Sequence, residues 1–412
     1  MTLLTKPELL SFAEARRVVE DYAARQDPTE PELTSLLDAV GLALAEDLRA
    51  DRDFPPFPRA TRDGYAVRAA DLQAVPAQLH CVGSIKAGAD AGAIDVRSTQ
   101  AAEIMTGAAL PPGADAVVMV EYTAHARDTV TVKRPVKAGE NVVAAGAEAR
   151  RGDVMVPKGT RVQHAVVAVA AAVGRPEVAV HRRPRVAVLA TGDELVDINL
   201  PPGPNEIRNS NSYSLAAQVY EAGGDAIILP VARDEAAELA LLLHNGLQSD
   251  LLLLSGGVSL GTYDLVEEVL ASLGAEFFFT GVAIQPGKPV VFGQVALDGK
   301  TTPFFGLPGN PVSTMVTFQL FVRPVLDALG GAKPEPLPFV QASLTAAFST
   351  KTGLTRFLPG RLCGSPEKPA VEWVRWQGSG DLMAAAKSNC YIVVPPDREQ
   401  LNAGEAVTVL LA

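Results

Sequence analysis

Three times between residues 183 and 332, a short unbroken apolar run ends in a turn of glycine, acid or serine: VAVLATGDE (186–194), LLLLSGGVSLGTYD (251–264) and PFFGLPGNP (303–311). Runs of four or five apolar residues with no polar alternation have no face left for water, so they read as strands buried on both sides. AIILP (226–230) adds another. Helical patterns lie between them. NSYSLAAQVYEAGG ends at glycine, and RDEAAELALLLHNGL opens with acids at its positive end. DLVEEVLASLG places Leu265, Val269, Leu270 and Leu273 on one face. After the third strand, Asn310 is placed as N-cap and Pro311 at the first helical position. Strands alternating with helices require a parallel sheet covered by helices on both faces.

In such a sheet, ligands bind beyond the carboxyl ends of the strands. The loops that leave those ends here are TGDE (191–194), SGGVSLGTYD (255–264) and GLPGNPVS (306–313). Glycine lets backbone approach a ligand closely, and successive N–H groups with a helix dipole hold an anion. Ser255, Ser259 and Ser313 add neutral donors. Glu194, Asp234 and Asp264 lie among these loops. Bare carboxylates would repel a phosphate, so beside one they commonly hold Mg²⁺. Helix capping alone is the alternative reading of Asp234 and, less so, of Asp264. The spacing matches neither the Walker pattern nor GxGxxG, so the residues by themselves reach no further than a nucleotide or phosphorylated ligand.

The remaining chain is less regular. Residues 6–50 read as helical, with Pro31-Glu32 as a helix start. The proline-rich DFPPFPRATRDGYAV (53–67) breaks that pattern, and 78–149 is a series of short β-rich runs. Residues 161–175 read as a helix packing back on the N-terminal helices, which makes the β unit an insertion. GGAKPEPLP (330–338) is a linker by composition. The expected architecture is multidomain α/β plus β: a helical elongated domain (1–52 and 150–182), an inserted β domain (53–149), a central parallel α/β domain (183–332) and a small C-terminal β-barrel (333–412). A net charge of -11 argues against a broad nucleic-acid surface, so any phosphate site must be a local pocket. Cys81, Cys363 and Cys390 form no metal or disulfide pattern and read as reduced thiols of a cytoplasmic protein. No signal-peptide order and no run of eighteen apolar residues is found, so no membrane span is expected.

Taken together, TGDEL (191–195), SGGVSLGTYD (255–264), QPGKP (285–289) and GLPGNPVS (306–313) resemble the molybdopterin molybdenumtransferases, the MoeA and gephyrin E-domain family. RDGYAV (62–67), IMTGAALPPGADAVVMVE (104–121), SNCYIVVP (388–395) and AGEAVTVLL (403–411) extend the resemblance over nearly the whole chain, in order. It implies a four-domain homodimer acting in the last step of molybdenum cofactor synthesis. Adenylylated molybdopterin and molybdate are the substrates, Mg²⁺ assists, AMP leaves, and the molybdopterin adenylyltransferase is a delivery partner. It also implies roles. Thr191, Gly192, Asp193, Ser255, Gly256, Gly257, Ser259, Gly261, Pro308, Gly309 and Asn310 would bind substrate. Glu194 and Asp264 would serve Mg²⁺ or the phosphate end, with Asp234 close by. Lys288, Pro289 and Ser313 would form an oxyanion pocket. Asp63 and Thr106 would reach the active site from the partner subunit.

Departures from the family pattern are specific. Gln285 stands for a lysine, Ala149 for an aspartate, Leu354 and Pro359 for arginines, and Ala384 or Ala385 for a serine. Arg356 and Arg361 lie nearby but out of register. Each lost charge-assisted contact removes roughly 1.5–3 kcal/mol of binding. Two other readings follow: a non-catalytic pterin- or nucleotide-binding carrier or scaffold, which weakened anion contacts would favour, and an adenylyltransferase.

Overall fold

The leucine run folds as the strand Leu251–Ser255, third in a six-stranded sheet. The computed structural model describes residues 9–233, 235–257, 265–297 and 299–412. They fall into two compact units, one of residues up to Ala45 with Gly159–Gln163 and Ala179–Ala412, the other of Glu46–Lys158 with His164–Val178.

In the first unit, Asp225–Ile228, Arg185–Ala190, Leu251–Ser255 and Lys300–Leu307 lie side by side in parallel. Alternation along the strands builds two cores. Val186, Val188, Leu251 and Leu253 face one way, onto Ala15 and Val19 of the helix Phe12–Ala23 and Leu215 and Val219 of Ser210–Glu221. Ala187, Leu189, Leu252 and Leu254 face the other way, onto Leu239, Leu243, Val266 and Leu270. Helices therefore cover both faces, which is why those runs carry no polar residue. The sheet is mixed rather than wholly parallel, because Val291–Leu297 pairs antiparallel with Lys300–Leu307, and Glu276–Phe279 with Val291–Leu297. A hairpin turns the chain back before the last parallel strand. After Asn310 the helix Pro311–Thr317 continues through a π-helical turn, Phe318–Val322, into Arg323–Leu329. Pro311–Leu329 is long and apolar enough to cross a membrane, but 67% of its apolar window is buried inside the unit, as in a core helix.

Phe339–Leu344, Thr355–Ser365, Lys368–Trp373, Cys390–Val394 and Ala406–Leu411 close into a five-stranded barrel, since Thr355–Ser365 pairs with both Lys368–Trp373 and Cys390–Val394. Ile284–Gln285 joins its edge in parallel, with Gln285 opposite Arg356. The barrel is thus tied to the α/β sheet by main-chain bonds as well as by Phe357, which packs in the same core as Phe292 and Phe305.

The second unit holds a six-stranded sheet with Gly64–Val67 between Ala116–Met119 and Gln100–Ile104. Both its faces are buried: Tyr65 and Val67 enter one apolar cluster and Ala66 the other.

Two readings of the N-terminal third are corrected. Pro31–Ser35 is a strand, not a helix start. Leu33 is 72% exposed there and Leu37 79%, so the segment has no apolar face to pack as a helix. The helix His164–Ala172 belongs with Glu46–Lys158, and not with Phe12–Ala23.

Candidate functional site

The site is built at the carboxyl ends of the parallel strands of the first unit. The Thr191 N–H donates to Ser255 O at 3.0 Å, and the Gly256 N–H to Leu307 O at 3.2 Å. These two bonds set three strand ends edge to edge. Gly256 and Gly257 then turn with φ of +87° and +64°. A Cβ on Gly256 would sit 2.6 Å from Thr191 O, and one on Gly257 2.5 Å from Thr191 Oγ1. Only glycine keeps the backbone this close. A Cβ on Gly309 would lie 3.5 Å from Gly256 Cα, so the 308–310 loop reaches the same place. Thr191 is 5% exposed, and among the described residues its Oγ1 has no hydrogen-bond partner. A buried orphan hydroxyl at a strand end calls for a ligand group.

The structure therefore brings Thr191, Gly192, Ser255, Gly256, Gly257 and Gly309 together. Glu194 is exposed on the adjoining loop, and its carboxylate folds back over Gly192. Thr314 Oγ1 donates to Pro308 O at 2.6 Å, pinning the entry to the helix that starts at Pro311, where Asn310 holds the N-cap position without a side-chain capping bond. Ser259, Gly261, Asp264 and Asp234 lie outside the described residues. Among the described residues no group of three or more His, Cys, Asp or Glu side chains has metal-binding geometry.

Sequence reasoning missed Asn211. Its Nδ2 donates to Ser255 Oγ at 2.9 Å and to Gly309 O at 2.7 Å. The only local signal is the asparagine-rich start NSNS, and Asn209 accounts for that by capping the helix through Ser212 N–H.

Lys288 and Pro289 lie on a neighbouring loop, half-buried. This loop abuts the helix that carries buried Ser313: a Cβ on Gly287 would meet Thr317 Cγ2 at 2.4 Å. Across the strand pair from Gln285, Arg356 is only 6% exposed. Its Nε donates to Lys351 O at 2.9 Å, and no carboxylate among the described residues pairs with it. Burial alone holds its pKa below the usual arginine value. A cavity of about 300 Å³ opens there, lined by Gln285, Lys351, Arg356, Leu358, Trp373 and Trp376. Arg361, the other displaced arginine, is exposed and spent on Glu372 at 2.8 Å.

In the second unit, Asp63 and Thr106 meet at adjacent strand ends. Asp63 Oδ1 accepts from the Thr106 N–H at 2.6 Å and its O–H at 2.8 Å. The backbone bond first, then the hydroxyl, holds the Asp63 carboxyl below its ordinary value. Its contribution to stability is therefore present above the ordinary aspartate range and fades as pH falls through the depressed pKa. Thr106→Ala removes the hydroxyl only. The Asp63 pKa should rise partway towards its ordinary value, read by carboxyl NMR titration; an unmoved pKa would mean the hydroxyl bond is not made.

A doubly covered α/β sheet with glycine loops at its strand ends, joined to a closed five-stranded barrel and a separate β unit, defines a multidomain protein built on an α/β domain. Comparison with known families fixes which one. Residues 10–174 match the MoeA N-terminal region (domains I and II), 187–328 a probable molybdopterin binding domain, and 341–412 the MoeA C-terminal region (domain IV). The molybdopterin molybdenumtransferase of Bacillus subtilis is 34% identical over 396 residues, covering 94% of this chain and 91% of the relative. That of Nostoc is 35% identical over 393 residues, covering 92% and 88%. The crystal structure of the molybdopterin biosynthesis moeA protein from Pyrococcus horikoshii OT3 superposes with a TM-score of 0.81 at 29% identity, covering 98% of this chain and 100% of that one. The chain belongs to the MoeA family.

Proposed function

We infer that this chain is a molybdopterin molybdenumtransferase, an enzyme of molybdenum cofactor biosynthesis. The relatives that match nearly end to end support that reading, and the observation that carries it to the residues is the glycine cradle at Thr191, Gly256 and Gly309 with its orphan hydroxyl. The substrates are adenylylated molybdopterin and molybdate. The strand-end N–H groups of the cradle hold the phosphoanhydride, because directed donors replace its hydration without adding charge. Lys288 and Arg356 hold the molybdate oxyanion beside Ser313, the charge-assisted contacts a tetrahedral dianion needs. Arg356 thereby supplies the cation that Gln285, Leu354 and Pro359 do not. Water cleaves the phosphoanhydride P–O bond, and AMP leaves.

Glu194 and Asp264 would hold Mg²⁺, with Asp234 close by, and when bound the ion would supply charge neutralisation at the phosphates. The same proposal places the enzyme in the cytoplasm as a homodimer, with Asp63 and Thr106 serving the partner subunit's site, and the molybdopterin adenylyltransferase as its supplier.

The test is AMP release from purified adenylylated molybdopterin and Mg²⁺, with and without molybdate. Molybdate-dependent release is expected. Tight binding with no release at any molybdate concentration would instead make the chain a cofactor carrier, and AMP formed from ATP without the pterin nucleotide would make it an adenylyltransferase. Sedimentation of the purified protein checks the dimer.

A further inference from the structure

A carbonyl oxygen can only accept, and that fixes the orientation of the Asn211 amide. Gly309 O lies 2.7 Å from Nδ2, so the NH₂ group and not the amide oxygen faces it. The same NH₂ group lies 2.9 Å from Ser255 Oγ. Its second hydrogen is directed at the serine, so Ser255 Oγ accepts and its own proton must point elsewhere. Among the described residues no acceptor takes that proton. Ser255 is 2% exposed and is the last residue of the strand before Gly256-Gly257. Accepting from Asn211 occupies one lone pair of this hydroxyl and turns its proton away from the amide, where it can be donated to a ligand.

We propose that Asn211 is a positioning residue for substrate: by holding one lone pair of Ser255 Oγ it turns the hydroxyl proton toward an acceptor group of the ligand. A phosphate or phosphoanhydride oxygen is such a group. Asn211 thus aims a donor at the anionic part of the substrate without touching it. This rests on the reading of function given above, and it assigns the phosphate end of the substrate to this strand end.

The test measures dissociation constants for adenylylated molybdopterin and, separately, for inorganic pyrophosphate. The proteins are the full-length chain and its Asn211→Ala, Asn211→Asp, Ser255→Ala and Asn211→Ala/Ser255→Ala variants, each with its melting temperature. Loss of an oriented donor to a charged group should weaken binding roughly 10-fold in Asn211→Ala. In Asn211→Asp, whose carboxylate accepts the Ser255 proton and repels the anion, the loss should reach about 100-fold. With Ser255 already removed, Asn211→Ala should cost less than about 3-fold, because the hydroxyl it orients is gone. Unchanged affinity in either single Asn211 variant overturns the proposal. So does an equal loss in both backgrounds, which a merely structural tie to Gly309 would give. If the unsubstituted protein binds pyrophosphate but not the pterin nucleotide, the substrate reading falls and the role of Asn211 is decided on pyrophosphate alone. If it binds neither, both fall.

Discussion

Gly256→Ala should lower molybdate-dependent AMP release by at least about 100-fold in a protein that still folds, because a displacement of order 1 Å at a reacting centre has that effect. The displacement is unavoidable. At φ +87° a Cβ would stand 2.6 Å from the Thr191 carbonyl oxygen, which is backbone and has no rotamer to retreat into. Relief must come from the rung between Thr191 N–H and Ser255 O, which sets the cradle's width. The left-handed conformation costs about 1–2 kcal/mol for a residue with a side chain. Against roughly 5–15 kcal/mol of total stability, that strain and the clash leave the chain folded. A fall in melting temperature of roughly 2–4 °C per kcal/mol is expected for a domain of this size. Gly309→Ala is the control. Its Cβ would meet Gly256 Cα at 3.5 Å, an ordinary contact, so its loss should stay within about 10-fold. Calorimetry and AMP release on the two variants decide the matter: full activity in Gly256→Ala would remove this loop from the site.

What the sequence made legible, and what it hid, follows from how far each signal reaches along the chain. The strand Leu251–Ser255 was readable to the residue because four leucines meeting a glycine pair leave no other register. Asn310 and Pro311 were readable because a cap and a first-turn proline act within a few residues. Pro31-Glu32 misled because the same proline rule was applied where no apolar periodicity follows it. The Asp298-Gly299 pair is a hairpin signal that went unread, and with it the antiparallel return that makes the sheet mixed. Asp63 and Thr106 were each named from separate motifs, and their mutual hydrogen bonds needed only the pairing of Gly64–Val67 with Gln100–Ile104 to bring them together. Asn211 was invisible for the opposite reason. Its partners lie 44 and 98 residues away, and no local pattern marks a residue whose work is done across a sheet edge.

The displaced arginine poses the sharpest contrast between stability and function. In the chain, Arg356 looks like a slipped copy of a family cation. In the fold, it pairs opposite Gln285, the position to which the family resemblance assigns a lysine. An arginine that is 6% exposed, with a carbonyl as its one hydrogen-bond partner among the described residues, carries a desolvation cost that no carboxylate there offsets. Removing it should therefore cost little. Arg356→Met loses the bond to Lys351 O, about 1 kcal/mol, and regains a similar amount by burying an apolar stem instead of a charge. Its melting temperature should stay within a few degrees of the parent protein, or rise. Binding of molybdate should weaken about 10- to 100-fold, the loss of one charge-assisted contact of roughly 1.5–3 kcal/mol. Arg356→Lys should recover part of it, since a lysine keeps the charge but not the planar fork. The readout is the molybdate concentration giving half-maximal AMP release, beside calorimetry. A variant that loses stability and molybdate affinity in step would make Arg356 a structural residue of the barrel, and an unmoved molybdate requirement would leave Lys288 as the cation that holds the oxyanion. A stable variant with a raised requirement would mean that this chain moved its cation from the loop to the barrel strand, at an energetic cost in the free enzyme that bound oxyanion repays.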